Sequence, residues 1–150
     1  MAILSPGNTC CITGGASGIG LATAERCARA GMNVCLADVE LFCDERAATL
    51  AATLEAAGAA SVLALECDVS SLESMERVQS AVFGKFGGCH FLSLNAGIGG
   101  GGGVLASEDR WRALIDVSSH AICRLRVHGS ILADCLRVAL CHIACGPGMF

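Results

Sequence analysis

The eight residues Thr13-Gly14-Gly15-Ala16-Ser17-Gly18-Ile19-Gly20 constrain the fold of this chain more than any other segment. They follow an apolar stretch, Cys10-Cys11-Ile12, and open a helical pattern marked by Leu21, Ala24 and Ala28. A glycine-rich turn between strand and helix leaves the N–H groups of the helix N-terminus unpaired and partially positive. A diphosphate fits there when no side chain blocks its approach. Gly14 permits the tight turn, Gly18 lets the backbone come close to phosphate, and Gly20 lets the helix pack on the strand. The same glycines also suit an ordinary strand–helix turn, so the surrounding pattern has to decide.

That pattern alternates short β-like runs with longer helical ones. Thr9–Thr13 reads as the first strand, and residues 18–30 as a helix closed by Gly31. Asn33–Asp38 is the second strand; its nearly continuous apolar run suits a parallel strand buried on both faces. An alanine-rich helix over 44–57 stops at Gly58, Ser61–Glu66 is the third strand, and 71–86 is a helix. Ser71 is its N-cap, but Ser74 stands where a capping box would have glutamate. The fourth strand covers 89–94, and Ser107 starts another helix with Glu108 and Asp109 in its first turn. Helices of this length between strands imply right-handed βαβ crossovers. The expected fold is α/β, an incomplete Rossmann-like doubly wound parallel sheet in the order 3-2-1-4. No fifth strand followed by a Ser-Ser turn is visible, and a parallel sheet lacking its later strands should leave strand four with an unpaired edge. The five consecutive glycines 99–103 fit either a mobile substrate-side loop or a tolerated insertion, and the insertion is favoured.

Composition narrows the classes. At 150 residues and 53% hydrophobic content the chain is one domain with a real core, and 16% charged residues argue against disorder. A net charge of −4 without a basic stripe argues against a nucleic-acid partner. Residues 1–8 lack the basic and apolar regions of a signal peptide, and no uncharged apolar run reaches bilayer length. A cytoplasmic, non-membrane protein is expected. The eleven cysteines include no Cys-x-x-Cys pair and read as reduced, mostly buried apolar residues. Cys141, His142 and Cys145 lack a second ligand pair, so no metal site is expected.

Three further motifs join the glycine loop: Asp68-Val69 after strand three, Asn95-Ala96-Gly97 after strand four, and Trp111 in the last helix. Together they resemble the short-chain dehydrogenase/reductase family over roughly residues 8–117. The resemblance implies an oxidoreductase acting on a small alcohol or carbonyl substrate, with a homo-oligomer left open. It implies a cofactor site in which Gly14, Ser17, Gly18, Ile19 and Gly20 hold a diphosphate. Asp68 and Val69 would meet the adenine, and Asn95, Ala96 and Gly97 would line the nicotinamide side. The residues support these roles independently. Asp38 ends strand two, where a ribose should lie; its carboxylate can accept from both hydroxyls and repels a 2′-phosphate. Neither Ala37, Val39 nor Ser17 supplies a compensating cation, which favours NAD over NADP. Asp38 could instead cap the next segment, Asp68 could be a turn residue, and Asn95-Ala96-Gly97 a plain turn.

The pattern then breaks. The family transfers its proton through a Tyr-x-x-x-Lys motif, yet this chain contains no tyrosine, and its one lysine is Lys85. Ser118 stands where the family's asparagine would follow Asp116-Val117, and reads as an ordinary helix residue. Residues 1–117 carry 13 acids and 7 Lys/Arg, whereas 118–150 carry 1 acid and 3 Arg. Three of four histidines, His120, His128 and His142, also fall in this tail, with no partner acid at useful spacing. The expected organisation is a dinucleotide-binding region over 1–117 and an atypical helical or irregular tail over 118–150. A changed reading frame or alternative exon, truncating the chain before its catalytic motif, is the expected origin of that tail. No catalytic residue is assigned. The alternatives are a non-catalytic dinucleotide- or partner-binding module and a non-functional product.

Overall fold

The structure, a computed structural model, describes residues 3–99, 107–117 and 138–139. Its centre is a parallel sheet of β1 (Thr9–Thr13), β2 (Asn33–Asp38), β3 (Ser61–Glu66), β4 (Phe91–Leu94) and a two-residue β5 (Val138–Ala139). The strand order is β3-β2-β1-β4-β5. The four expected strands thus pair in parallel and in the expected order. The connecting helices are α1 (Gly18–Arg29), α2 (Asp44–Ala56) and α3 (Leu72–Phe86), with α4 (Glu108–Ile115) after β4.

β5 corrects one expectation. Leu92 and Ser93 of β4 pair with Val138 and Ala139, so this edge is partly covered. A two-residue bridge is too short to impose a period on a sequence, which is why it left no trace there. Ser118, His120, His128, His142, Cys141, Cys145 and the glycines 100–103 lie outside the described residues. A 3-10 turn, Val39–Phe42, was also unforeseen; it follows β2 directly and is capped by Asp38.

Alternation along the strands builds two cores. Cys10, Ile12, Val34 and Leu36 face α1 and α2, packing with Ala24, Ala28 and Leu54. Cys11, Cys35 and Ala37 face the other way, against Met75, Val78 and Val82 of α3. β1 is buried at every position, as a central parallel strand must be when helices cover both faces. At the N-terminal end of the sheet, the Thr9 N–H donates to Nδ1 of His90 at 3.0 Å. The His90 N–H returns a bond to the Thr9 carbonyl at 2.8 Å, holding β1 and β4 in register.

α3 shows how its missing capping box is replaced. The Ser71 hydroxyl accepts the Ser74 N–H at 3.3 Å. The Ser74 hydroxyl accepts the Asp68 N–H at 3.1 Å, tying the helix to the loop after β3.

The central position of β1 makes a direct prediction. Ile12 is fully buried, whereas Phe42 is 75% exposed. Ile12→Ala should cost about 2–5 kcal/mol, the range for emptying a buried aliphatic site. Phe42→Ala should stay within about 0.5 kcal/mol of wild type. Urea denaturation of both variants checks this, and a comparable loss at the two positions would contradict the described core.

Candidate functional site

The carboxyl ends of β1, β2, β3 and β4 open on one side of the sheet, where an α/β fold of this winding places its crevice. A cavity of about 520 Å³ lies there. It is lined by Gly14, Ser17, Gly18 and Ile19 from the glycine turn, Asp38 from β2, and Asp68 and Val69 after β3. Asn95, Ala96 and Gly97 after β4 complete the set of expected residues on its wall. Gly20 is not among the lining residues.

The glycine turn is shaped by two independent constraints. Gly14 has φ +64°, and a Cβ there would lie 2.8 Å from the Ala96 Cα. A side chain is therefore excluded both by backbone conformation and by the neighbouring chain. Gly18 has φ +52°, but a Cβ would meet no protein atom within 4 Å. Its outer face is open space at the cavity, so its backbone is free to approach a ligand. Gly20 behaves differently from the sequence reading. A Cβ at Gly20 would collide with the Gly14 carbonyl and lie 2.7 Å from the Asn95 amide nitrogen. It packs the helix against the turn itself, behind the cavity, rather than against a strand.

α1 presents its positive end to this space. The first intrahelical bond runs from the Leu21 N–H to the Ser17 carbonyl at 3.1 Å, so the N–H groups of Gly18, Ile19 and Gly20 precede the helical ladder. Ser17 occupies the N-cap with extended backbone and makes no side-chain capping bond. No acidic residue occupies the first turn of α1. The arrangement favours an anionic group.

Asp38 forms the next wall. It is only 8% exposed, and its two oxygens are already engaged. Oδ2 accepts the Ala16 N–H at 2.9 Å, and Oδ1 accepts the Glu40 N–H at 3.0 Å. One carboxylate thus braces the glycine turn and caps the 3-10 turn. An ionised carboxylate offers about four acceptor sites, so two bonds leave capacity for two more.

Asp68 is exposed, and its Oδ1 accepts both the N–H and the hydroxyl of Ser70, at 2.8 and 2.6 Å. That is the turn role considered from sequence, realised on the cavity wall. Cys67 lies beside it. Burial pushes the Cys67 thiol from 9.0 up to about 11, with the Ser74 hydroxyl acting in the opposite direction. It is a protonated apolar wall at neutral pH, not a nucleophile.

Asn95 closes the site on the β4 side. Its Nδ2 donates to the Thr13 carbonyl at 3.2 Å and to the Gly14 carbonyl at 3.1 Å. Its N–H and that of Ala96 both donate to the Thr13 hydroxyl at 3.1 Å. Sequence reasoning missed Val39, Glu40, Cys67, Ile98, Gly99 and Val117, which also line the cavity. Val39 and Glu40 enter through the 3-10 turn, which has no apolar period to announce it. Among the described residues, no group of three metal-ligating side chains occurs, and no helix is long and apolar enough to cross a membrane.

Comparisons with known proteins agree with this architecture. A family model described as short chain dehydrogenase matches residues 8–129. The 2,5-dichloro-2,5-cyclohexadiene-1,4-diol dehydrogenase LinX of Sphingobium indicum is 36% identical over 117 residues, covering 77% of this chain and 45% of that protein. A short chain dehydrogenase/reductase from Burkholderia phymatum, solved in complex with NAD, aligns with a TM-score of 0.76 and 34% identity, over 87% of this chain and 46% of that one. L-sorbose reductase from Gluconobacter frateurii, complexed with NADPH and L-sorbose, aligns at 0.75 and 30%, over 84% of this chain and 48% of that one. This chain belongs to the short-chain dehydrogenase/reductase family. It spans about half the length of the relatives it matches. The family match runs past Val117 to residue 129, into the segment where composition changes.

The last two glycines of the motif, Gly18 and Gly20, should respond differently to substitution. Gly20→Ala should cost about 3 kcal/mol, the upper part of the range for overpacking, because backbone and Asn95 must both move. Gly18→Ala should cost about 1 kcal/mol, for its left-handed backbone alone. Urea titrations rank them; a larger loss at Gly18 would contradict the packing.

Proposed function

We propose that the cavity binds a nicotinamide adenine dinucleotide, NAD in preference to NADP, in an oxidoreductase acting on an alcohol or carbonyl substrate. The observation that carries this reading is the Asp38 carboxylate on the same wall as the open N-terminus of α1. In this reading Gly14, Ser17, Gly18 and Ile19 hold the diphosphate, with Gly20 fixing the turn from behind. Asp38 accepts from the ribose hydroxyls through its remaining lone pairs and repels a 2′-phosphate. Asp68 and Val69 flank the adenine. Asn95, held on the Thr13 and Gly14 carbonyls, keeps Ala96 and Gly97 at the nicotinamide side. When bound, the nicotinamide supplies the hydride acceptor or donor. Relatives solved with NAD and with NADPH both align here, so cofactor choice is assigned on Asp38 rather than on likeness.

A second reading is supported by the proton-transfer chemistry. Oxidising an alcohol requires removal of its hydroxyl proton, which a positioned acid–base group accelerates about 10²–10⁴-fold. The 150 residues include no tyrosine. Lys85 is committed elsewhere: its Nζ donates to the Val62 carbonyl at 2.8 Å, and it does not line the cavity. On this reading the chain binds dinucleotide without turning over alcohols by itself. Residues 1–117 would be the dinucleotide-binding region, and 118–150 a distinct tail. The described cysteines, all free thiols and mostly buried, suit a reducing compartment such as the cytoplasm.

Thermal unfolding with NAD and NADP, together with a turnover assay, tests both parts. NAD at about 100 times its Kd should stabilise the chain by about 2.7 kcal/mol, and NADP at the same concentration by clearly less. Secondary alcohols should yield no NADH. No stabilisation by either dinucleotide would overturn the binding reading; sustained NADH production would overturn the non-catalytic one.

A further inference from the structure

Asp38 is not the only charge at the ribose side of the cavity. Glu40, two residues on, also lines it, while no Lys or Arg is among the described lining residues. A cation bound to Glu40 comes from the first turn of α2. Arg46 Nη2 pairs with Glu40 Oε2 at 2.5 Å and also donates to the Ala16 carbonyl at 3.5 Å. Asp38 holds the N–H of that same Ala16 at 2.9 Å. Asp38 and Arg46 therefore grip opposite sides of one residue in the glycine turn. The guanidinium is turned to Glu40, which lines the cavity.

We propose that the Glu40–Arg46 pair is a second determinant of cofactor choice, acting by withholding the Arg46 guanidinium from a ribose 2′-phosphate. The proposal deepens the dinucleotide reading and rests on it. Glu40 acts twice: it adds a second carboxylate to the wall and occupies the guanidinium. The pair itself is weakly held, since the Arg46 and Glu40 side chains are 47% and 51% exposed. An incoming phosphate is a stronger, bidentate acceptor for arginine and would compete, were it not for the two carboxylates. Without the Glu40 charge, Arg46 retains one long bond to a backbone carbonyl. It is then free to swing onto a 2′-phosphate. Asp38 alone does not account for rejection of the phosphate on this view, because a free Arg46 would offset it.

The test uses ADP-ribose and 2′-phospho-ADP-ribose, which differ only in the group at issue and need no turnover. Calorimetry gives the affinity ratio for wild type, Glu40→Gln, Glu40→Gln/Arg46→Met and Asp38→Asn. Glu40→Gln should shift the ratio about tenfold or more toward the 2′-phosphate, the scale of one added bond to a charged group. Adding Arg46→Met should reverse the shift, and raising salt should shrink it. Asp38→Asn removes the first charge while its one amide oxygen keeps only one of the two backbone bonds, so its affinity ratio, and not its absolute affinity, reports the first determinant. An unchanged ratio in Glu40→Gln, with ADP-ribose still bound, overturns this inference alone; so does a shift that survives Arg46→Met. Failure of wild type to bind ADP-ribose overturns the site reading and this inference together.

Discussion

The structure depends on one hydroxyl. Thr13 Oγ1, at the last residue of β1, accepts the N–H groups of Asn95 and Ala96 and donates to the Ser93 carbonyl at 3.4 Å. The Asn95 amide answers across the same gap by donating to the carbonyls of Thr13 and Gly14. Each such bond contributes only about 0.5–1.5 kcal/mol net, but a buried group left unpaired costs about 1–3 kcal/mol. The five bonds are therefore worth most as a constraint. They close the ends of β1 and β4 onto each other and fix where the glycine turn begins. Gly14 must be glycine because Ala96, held by this clasp, lies where a Cβ would go. Gly20 must be glycine because the clasped Asn95 and the Gly14 carbonyl fill the space behind the helix.

Asp38 does for the β2 side what Thr13 and Asn95 do for the β4 side. Its carboxylate joins the glycine turn to the 3-10 turn through two backbone N–H groups, while facing the cavity. A buried carboxylate is costly unless it is hydrogen-bonded, and these two bonds meet that requirement. Structure and proposed recognition thus use the same atoms in different directions. The capping role weighed for Asp38 from sequence and the ribose role are compatible rather than exclusive. The same holds for Asp68, which forms its turn with Ser70 while lining the cavity.

Much of the scaffold was legible in the sequence. The ranges of β1, β2 and β3 follow from apolar runs bounded by Gly, Asn, Ser and Asp, and the parallel order follows from the helices between them. The cavity-lining residues named from sequence were legible because they follow the carboxyl ends of β1 to β4, where the fold directs its ligands; Val39, Glu40, Cys67, Ile98, Gly99 and Val117 carried no such motif. β4 begins at Phe91 rather than Cys89, since strand ends carry no periodic signal. What sequence could not give depends on contacts between distant segments. Ser74 replaces the missing capping residue by bonding a residue six positions earlier, and Gly20 meets the turn rather than a strand. Arg46 meets Glu40 and the Ala16 carbonyl only because α2 folds back onto the 3-10 turn and the glycine turn, a contact that the neighbours of Asp38 in sequence do not announce. β5 comes from a segment whose composition suggested no strand at all.

The central claim is that the clasp between β1 and β4 creates the binding cavity without itself providing the recognition charge. Asn95→Ala tests it most directly, because the described bonds of its amide go to backbone carbonyls. Calorimetric titration of ADP-ribose into this variant, with far-UV circular dichroism to verify the sheet, is the decisive measurement. The account predicts retained α/β structure with affinity lowered about tenfold or more, the effect of losing two bonds that position the turn. A folded variant that binds ADP-ribose as tightly as wild type would contradict it.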